Sequence, residues 1–233
     1  MVRAMSDDQT KRRIISRLMR EAASIFNEGS TTDLAPALPK MRAAVLLAEQ
    51  LDDKTPLLIC QANLAWMNAV CGRAHEASLH IERAIDVAME NDLPVAIRNF
   101  AFTKFVEICI LLQRDQERTL MYARALVQSA IDEEGSREQF LAAVFNLAVV
   151  CQELVRAPDW AVAVLSWLSD EGGTQDHPVL EQARRTCERI VNGMPPAVRL
   201  AWVSEVEANR DYLLEKATDG FLPRFAPNED EAD

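Results

Sequence analysis

The chain has 233 residues, 49% of them apolar, a formal net charge of −11 and only 7 glycines. The apolar content argues against a disordered chain, and the negative charge disfavours a general nucleic-acid binder, which needs a basic surface to neutralise phosphates. The low glycine count and the abundance of Leu, Ala, Glu and Arg favour an all-helical fold over a strand-rich one.

Apolar residues recur at three- and four-residue steps along the chain, which is the spacing of one face of an α-helix. About ten helices are predicted, near residues 10–28, 33–52, 56–71, 74–91, 94–113, 116–133, 137–155, 159–170, 177–192 and 196–218. Their boundaries rest on capping candidates Thr32, Asp33, Thr55 and Asp159, a capping box of Ser136 and Gln139, glycines 72, 172, 173 and 193, and prolines 36, 56 and 196. The connections are short, so neighbouring helices are expected to pack antiparallel.

The first helix contains the main basic segment, KRRIISRLMR at 11–20, with five basic residues and no acidic one. It could dock on an acidic partner, an anionic membrane surface or nucleic acid. The favoured interpretation is a solvated outer helix face, which could balance the acidic tail. That tail, 219–233, sets five carboxylates against Arg224 alone and is expected to be mobile.

Two sequence patterns alternate along the chain. The tetrads NLAW, NFAF and NLAV begin at Asn63, Asn99 and Asn146. The segments AVLLAEQLDD, AIDVAMEND and ALVQSAIDEE begin at residues 44, 84 and 125. Two kinds of helix alternating at a period near 40 residues predict an array of helical hairpins.

The chain resembles the tetratricopeptide-repeat (TPR) superfamily, in its longer-period, regulator-type form. The best-matching unit runs from Gln61 to Asp92, with Asn-Leu-Ala at 63–65, the turn residue Gly72, His-Glu-Ala at 75–77 and Arg-Ala-Ile at 83–85. The resemblance implies an all-α fold, an α-solenoid of stacked antiparallel helix hairpins. It is clearest over residues 33–170 and predicts a single helical-repeat domain over 1–218.

Small residues are expected where helices approach closely in such an array: Ala65 and Ala77 within one hairpin, and Ala84 against the next. The chain departs from the family pattern at Gln61, where Trp is common, and at Asn68, where Tyr is common. Lys104 also falls at a packing position.

The resemblance further implies a concave face that is lined by the first helix of each pair. The candidate partner-binding residues on it are Asn63, Trp66, Arg98, Asn99, Phe102, Phe105, Phe145 and Asn146. An Asn side chain offers both donors and an acceptor to a peptide backbone, and aromatic side chains bury apolar groups of a partner. Two alternatives remain: these aromatics belong to the core, or the last helix, 196–218, fills the groove.

No catalytic or metal-binding pattern is present in the sequence. The three histidines and five cysteines lack metal-ligand spacing, and Gly72 separates the one suggestive pair, Cys71 and His75. No enzyme, cofactor or metal is therefore predicted, and the cysteines are expected to be buried free thiols of a reducing cytosol. No apolar run or signal segment indicates a membrane span, so a cytoplasmic location is expected.

Three functions are compatible with these features. The first is a non-enzymatic scaffold, adaptor or chaperone that binds a segment of another protein in its groove. The second is a sensory or regulatory domain for a small molecule or signalling peptide. The third is a structural subunit that self-associates into a homo-oligomer.

Overall fold

The computed structural model describes residues 2–28, 36–132, 137–171 and 177–220, and within these ranges the chain is helical with no β-strand. The described residues form eleven α-helices: α1 (Val2–Glu28), α2 (Ala37–Ala48), α3 (Thr55–Val70), α4 (Ala74–Glu90), α5 (Val95–Leu112), α6 (Gln116–Asp132), α7 (Arg137–Val150), α8 (Pro158–Glu171), α9 (Pro178–Asn192), α10 (Pro196–Ala208) and α11 (Arg210–Thr218). The predicted all-α fold is confirmed.

The chain divides into two compact units, Met1–Leu112 and Gln113–Asp233. The single domain over 1–218 and the stacked solenoid remain predictions. Several predicted features lie outside the described residues: the caps Thr32 and Asp33, the Ser136 capping box, Gly172, Gly173 and most of the acidic tail.

In the first unit, α1 packs on α2 and α2 on α3, while α3 packs on both α4 and α5, and α4 also packs on α5. Its core contains Leu38, Met41, Leu58, Leu64 and Ile81, each at most 1% exposed.

The hairpin α3–α4 agrees closely with its sequence prediction. Ala65, Ala77 and Ala84 are all 0% exposed, as expected for small residues between closely packed helices. Gly72 ends α3 with a φ of 72°, a left-handed conformation that glycine adopts without steric cost. The turn is closed by a hydrogen bond of 2.8 Å from the Arg73 backbone amide to the Asn68 carbonyl.

Two capping predictions are wrong by one or two residues. Thr55 is the first residue of α3, so the N-cap position is Lys54, and the Thr55 amide donates to Oδ1 of Asp53 at 2.9 Å. Asp159 lies inside the first turn of α8, because that helix already begins at Pro158. A carboxylate in the first turn still stabilises the helix through its dipole.

In the second unit, α7 packs on α6 and α8, and α8 packs on α9, α10 and α11. A π-helical turn, Cys151–Val155, follows α7 and ends at Arg156, whose φ is 59°. The predicted helix 196–218 is two helices, since Asn209 interrupts it with φ −110° and ψ 14°. The end of α11 is held by Arg124 of α6, which donates to the carbonyls of Ala217 and Lys216 at 2.9 and 2.6 Å.

One helical stretch, Glu138–Val155, is long and apolar enough to cross a membrane by length and composition alone, and 44% of it is buried within the protein. The expectation that no apolar run has this length is therefore not met. Within this stretch, Leu147, Val150 and Cys151 are 0% exposed and belong to the core of the second unit.

Candidate functional site

The predicted binding residues of the first unit lie on α3 and α5, two helices that pack directly against each other. Asn63 and Trp66 on α3 are partly exposed, whereas Leu64 and Ala65 between them are fully buried. The helix therefore turns one side to the core and leaves Asn63 and Trp66 at the border with solvent.

On α5, Arg98, Asn99 and Phe102 are also partly exposed. Phe105 is 0% exposed, so its assignment to an exposed binding wall is wrong. Phe105 follows the buried Ala101 by four residues, one helical turn, and therefore shares the core side of α5. We call the partly exposed set Asn63, Trp66, Asn99 and Phe102 the α3–α5 face.

Lys104 connects the two helices at the edge of the α3–α5 face. Its Nζ atom lies 5.4 Å from the centre of the Trp66 ring and 5.9 Å from that of Phe100, and 2.6 Å from Oε2 of Glu107. An ammonium over an aromatic face is attracted to the ring's electron density. Lys104, which is paired with Glu107, therefore covers part of the Trp66 ring, and the remainder of the side chain is partly exposed.

The sequence analysis did not predict that Phe100, Lys104 and Glu107 form one cluster on α5. The signal was present, because Phe100 and Lys104 are four residues apart and Lys104 and Glu107 are three apart, which places them on one side of a helix. What the spacing does not contain is the contact with Trp66, which depends on how α3 and α5 pack.

The remaining two predicted residues, Phe145 and Asn146, lie on α7 in the second unit and are partly exposed. Their neighbours Leu147 and Ala148 are 0% and 1% exposed. The third tetrad thus repeats the burial pattern of the first, with a partly exposed Asn followed by two buried apolar residues.

Two polar residues at family-departing positions are buried in α3. Asn68 is 0% exposed and its amide nitrogen donates to the Leu64 carbonyl at 2.9 Å. Gln61 is 5% exposed, and its Oε1 lies 2.8 Å from Nδ1 of His80 on α4. These contacts give the Gln61 oxygen and the Asn68 amide nitrogen a local partner within the hairpin, whereas the buried Oδ1 of Asn68 has no hydrogen-bond partner.

His80 is half-buried, and its surroundings disfavour the charged imidazolium. Burial is the main cause that lowers the pKa of His80 below its usual 6.5, and the positive charge of Arg42 lowers it further. Glu76 acts in the opposite direction. The neutral ring can donate from Nδ1 to Gln61, which leaves the hairpin without a buried charge.

The five cysteines are free thiols, of which Cys60, Cys109 and Cys151 are buried and Cys71 and Cys187 are partly exposed. Burial raises the pKa of the Cys60 and Cys151 thiols to about 12. Such thiols stay protonated near neutral pH and are poor nucleophiles. The described residues contain no group of three or more His, Cys, Asp or Glu side chains placed to hold a metal ion.

The last two helices pack within the second unit, on α8 and α9. Val206 and Leu213 are buried there, whereas Val198 is 52% exposed. The hypothesis that this region fills the binding groove stays a prediction.

No protein-family model, curated protein sequence or solved structure matches the chain. The resemblance to the TPR superfamily therefore stays a prediction from the repeated residues of the sequence.

Proposed function

We propose that the chain is a non-enzymatic, TPR-like scaffold that binds a segment of another protein on its α3–α5 face. The observation that carries this proposal is the position of Asn63, Trp66, Asn99 and Phe102. All four residues lie on two directly packed helices, and all four remain partly exposed while their neighbours Leu64 and Ala101 are buried.

The helix packing of the first unit supports a hairpin array. In stacked hairpins, the first helix of one pair packs on its own partner and on the first helix of the next pair. The helix α3 does both, because it packs on α4 and on α5. The fully buried Ala84 on α4 supplies the small residue that stacking requires.

The chemistry of the α3–α5 face fits a peptide segment that presents apolar side chains and free backbone groups. Trp66 and Phe102 offer ring surface to apolar side chains, and partly buried aromatic residues often dominate binding energy. Asn63 and Asn99 can donate to and accept from a peptide backbone. Arg98 on α5 is partly exposed and adds a positive charge next to Asn99, which favours a segment with an acidic residue next to its apolar ones, whereas the charge of Lys104 is already paired with Glu107.

The proposal is tested with peptides selected from a displayed random library on the immobilised full-length protein. Fluorescence anisotropy then measures the affinity of each selected peptide. Replacement of a central aromatic residue in an interface costs about 2 kcal/mol or more. Trp66→Ala and Phe102→Ala should therefore weaken binding by roughly thirtyfold while the circular dichroism spectrum stays helical.

Leu79→Ala provides the matched control. Leu79 is a large apolar residue on α4 and is 57% exposed, but it lies outside the α3–α5 face. Its replacement should leave peptide affinity unchanged. Equal affinities for the wild type, Trp66→Ala and Phe102→Ala, or a loss confined to Leu79→Ala, contradict the proposal.

A further inference from the structure

The outward side of α1 carries Arg13, Arg17 and Arg20, and all three side chains are exposed. Steps of four and three residues keep them on one side of the helix. We call these three residues the basic face of α1. An open cavity of about 580 Å³ runs along the same side, between these arginines, Gln9 and Ser16.

Much of the charge on the basic face is not neutralised by neighbouring carboxylates. Among the described residues, neither Arg13 nor Arg20 lies within ion-pair distance of an Asp or Glu. Arg17 lies 3.6 Å from Glu21, but that carboxylate also holds Lys40 at 2.5 Å. The face therefore offers positive charge to an acidic partner.

The remainder of the molecule disfavours two of the three partner classes that a basic helix can serve. A membrane-surface helix needs free apolar residues beside its basic ones. On α1, the apolar residues next to the arginines are buried, as Ile15 is at 3% exposure, or only partly exposed, as Ile14 and Leu18 are, because the helix packs on α2. Nucleic acid is disfavoured because phosphate neutralisation needs a broad basic surface, whereas this face has three arginines, one of which already lies beside Glu21.

The chain itself contains a segment of complementary charge. Residues 229–233 read Glu-Asp-Glu-Ala-Asp, which places four carboxylates within five residues, and Arg224 is the only basic residue after Lys216. These positions lie outside the described residues. Each copy of the protein therefore carries both the basic face and the acidic segment, so the two are always present in equal concentration.

We propose that the basic face of α1 binds the acidic segment 229–233 of a second copy of this chain. Exposed ion pairs are individually weak and are screened by salt. Self-association should therefore occur at low ionic strength and high protein concentration. A pair of copies can exchange their acidic segments, so that two equivalent contacts hold one dimer.

The first experiment measures the mass of the 233-residue chain by light scattering after size-exclusion chromatography. In about 20 mM salt, where screening is weak, the mass should be near two chains of 26.1 kDa. In about 500 mM salt it should fall to that of one chain. A protein that stays at one chain in low salt, or at two chains in high salt, overturns the proposal.

Variants with reversed charges test whether the basic face of α1 and the acidic segment 229–233 are the two surfaces in contact. One variant carries Arg13→Glu, Arg17→Glu and Arg20→Glu, and the other carries Glu229→Lys, Asp230→Lys, Glu231→Lys and Asp233→Lys. Each variant alone should have the mass of one chain, because its two surfaces then carry the same sign. An equimolar mixture should restore a mass of two chains, since the lysines of one variant meet the glutamates of the other.

The control variant carries the same charge change elsewhere, as Arg83→Glu, Arg184→Glu and Arg189→Glu, three exposed arginines on α4 and α9. It should associate like the wild type. The proposal fails if this control abolishes association or if the mixed variants remain single chains. It also fails if the wild type binds a DNA duplex or phosphatidylserine vesicles through the three α1 arginines and does not self-associate.

Discussion

The ammonium of Lys104 on α5 lies 5.4 Å from the centre of the Trp66 ring on α3. The contact ties together the two helices that carry the proposed binding face, and it also covers part of the tryptophan that is expected to anchor a partner. An arriving segment must either displace Lys104 from the ring or use it as part of the binding surface.

A double-mutant cycle with Trp66→Leu and Lys104→Met measures this contact. The coupling energy between the two changes should be about 0.5–1 kcal/mol, the range of partly exposed cation–π pairs. Urea unfolding followed by circular dichroism supplies the four stabilities. A parallel cycle with Glu107→Gln separates the contribution of the Lys104–Glu107 ion pair. A Trp66–Lys104 coupling indistinguishable from zero means that the ring and the cation do not interact in solution.

Phe105 and Phe102 should differ sharply when each is replaced by alanine. Phe105 is 0% exposed, so Phe105→Ala leaves a cavity and should cost about 3–5 kcal/mol of unfolding free energy. Phe102 is partly exposed, and its loss should cost clearly less because water can reach the vacated space. Urea midpoints of the two variants test this. Similar costs would show that both rings belong to the core, or that neither does.

Gly72 should tolerate asparagine better than alanine. Its φ of 72° is disfavoured for residues with a Cβ atom, and no atom lies within 4 Å of a Cβ added there. The cost of Gly72→Ala is therefore conformational, about 1 kcal/mol. Gly72→Asn should cost less, since asparagine enters the left-handed region more readily. Thermal unfolding of both variants provides the measurement, and a larger loss for asparagine would contradict the assignment of this turn.

His80 should make the stability of the protein depend on pH in the mildly acidic range. Because the folded pKa of His80 is lowered, the unfolded chain binds a proton more readily than the folded one. The corresponding stability is fully present above the usual histidine pKa of 6.5 and is lost as the pH falls through the folded value. Urea midpoints between about pH 8 and about pH 5 should therefore fall more for the wild type than for His80→Gln.

Arg42→Met is the companion variant for this measurement. Removal of the Arg42 charge takes away one of the two causes that lower the pKa of His80, so the fall in stability should be smaller than in the wild type. Burial, the larger cause, remains. A steeper fall in Arg42→Met, or identical profiles for the wild type and His80→Gln, would show that His80 does not govern this pH dependence.

Local signals determined the helices well. The α3–α4 hairpin follows from apolar spacing, from Gly72 at the turn and from the small residues Ala65 and Ala77, both of which are buried. Spacing and turn chemistry act within one or two helical turns, so they can be read from neighbouring residues. The break at Asn209 was missed, because the apolar period runs through it and no glycine or proline marks it.

The side-chain partners across helices were decided only by the tertiary structure. Asn99 and Phe102, which the tetrads assigned to a binding face, are partly exposed, whereas Phe105, which the same reasoning assigned to that face, lies in the core. Likewise, nothing near Trp66 in the sequence indicates that Lys104 covers it. The apolar periodicity predicts which residues share a side of one helix. Which side of α5 is buried depends on how α5 is rotated about its own axis when it packs on α3 and α4. That rotation minimises the free energy of packing over several helices at once, and it is not a property of any single segment.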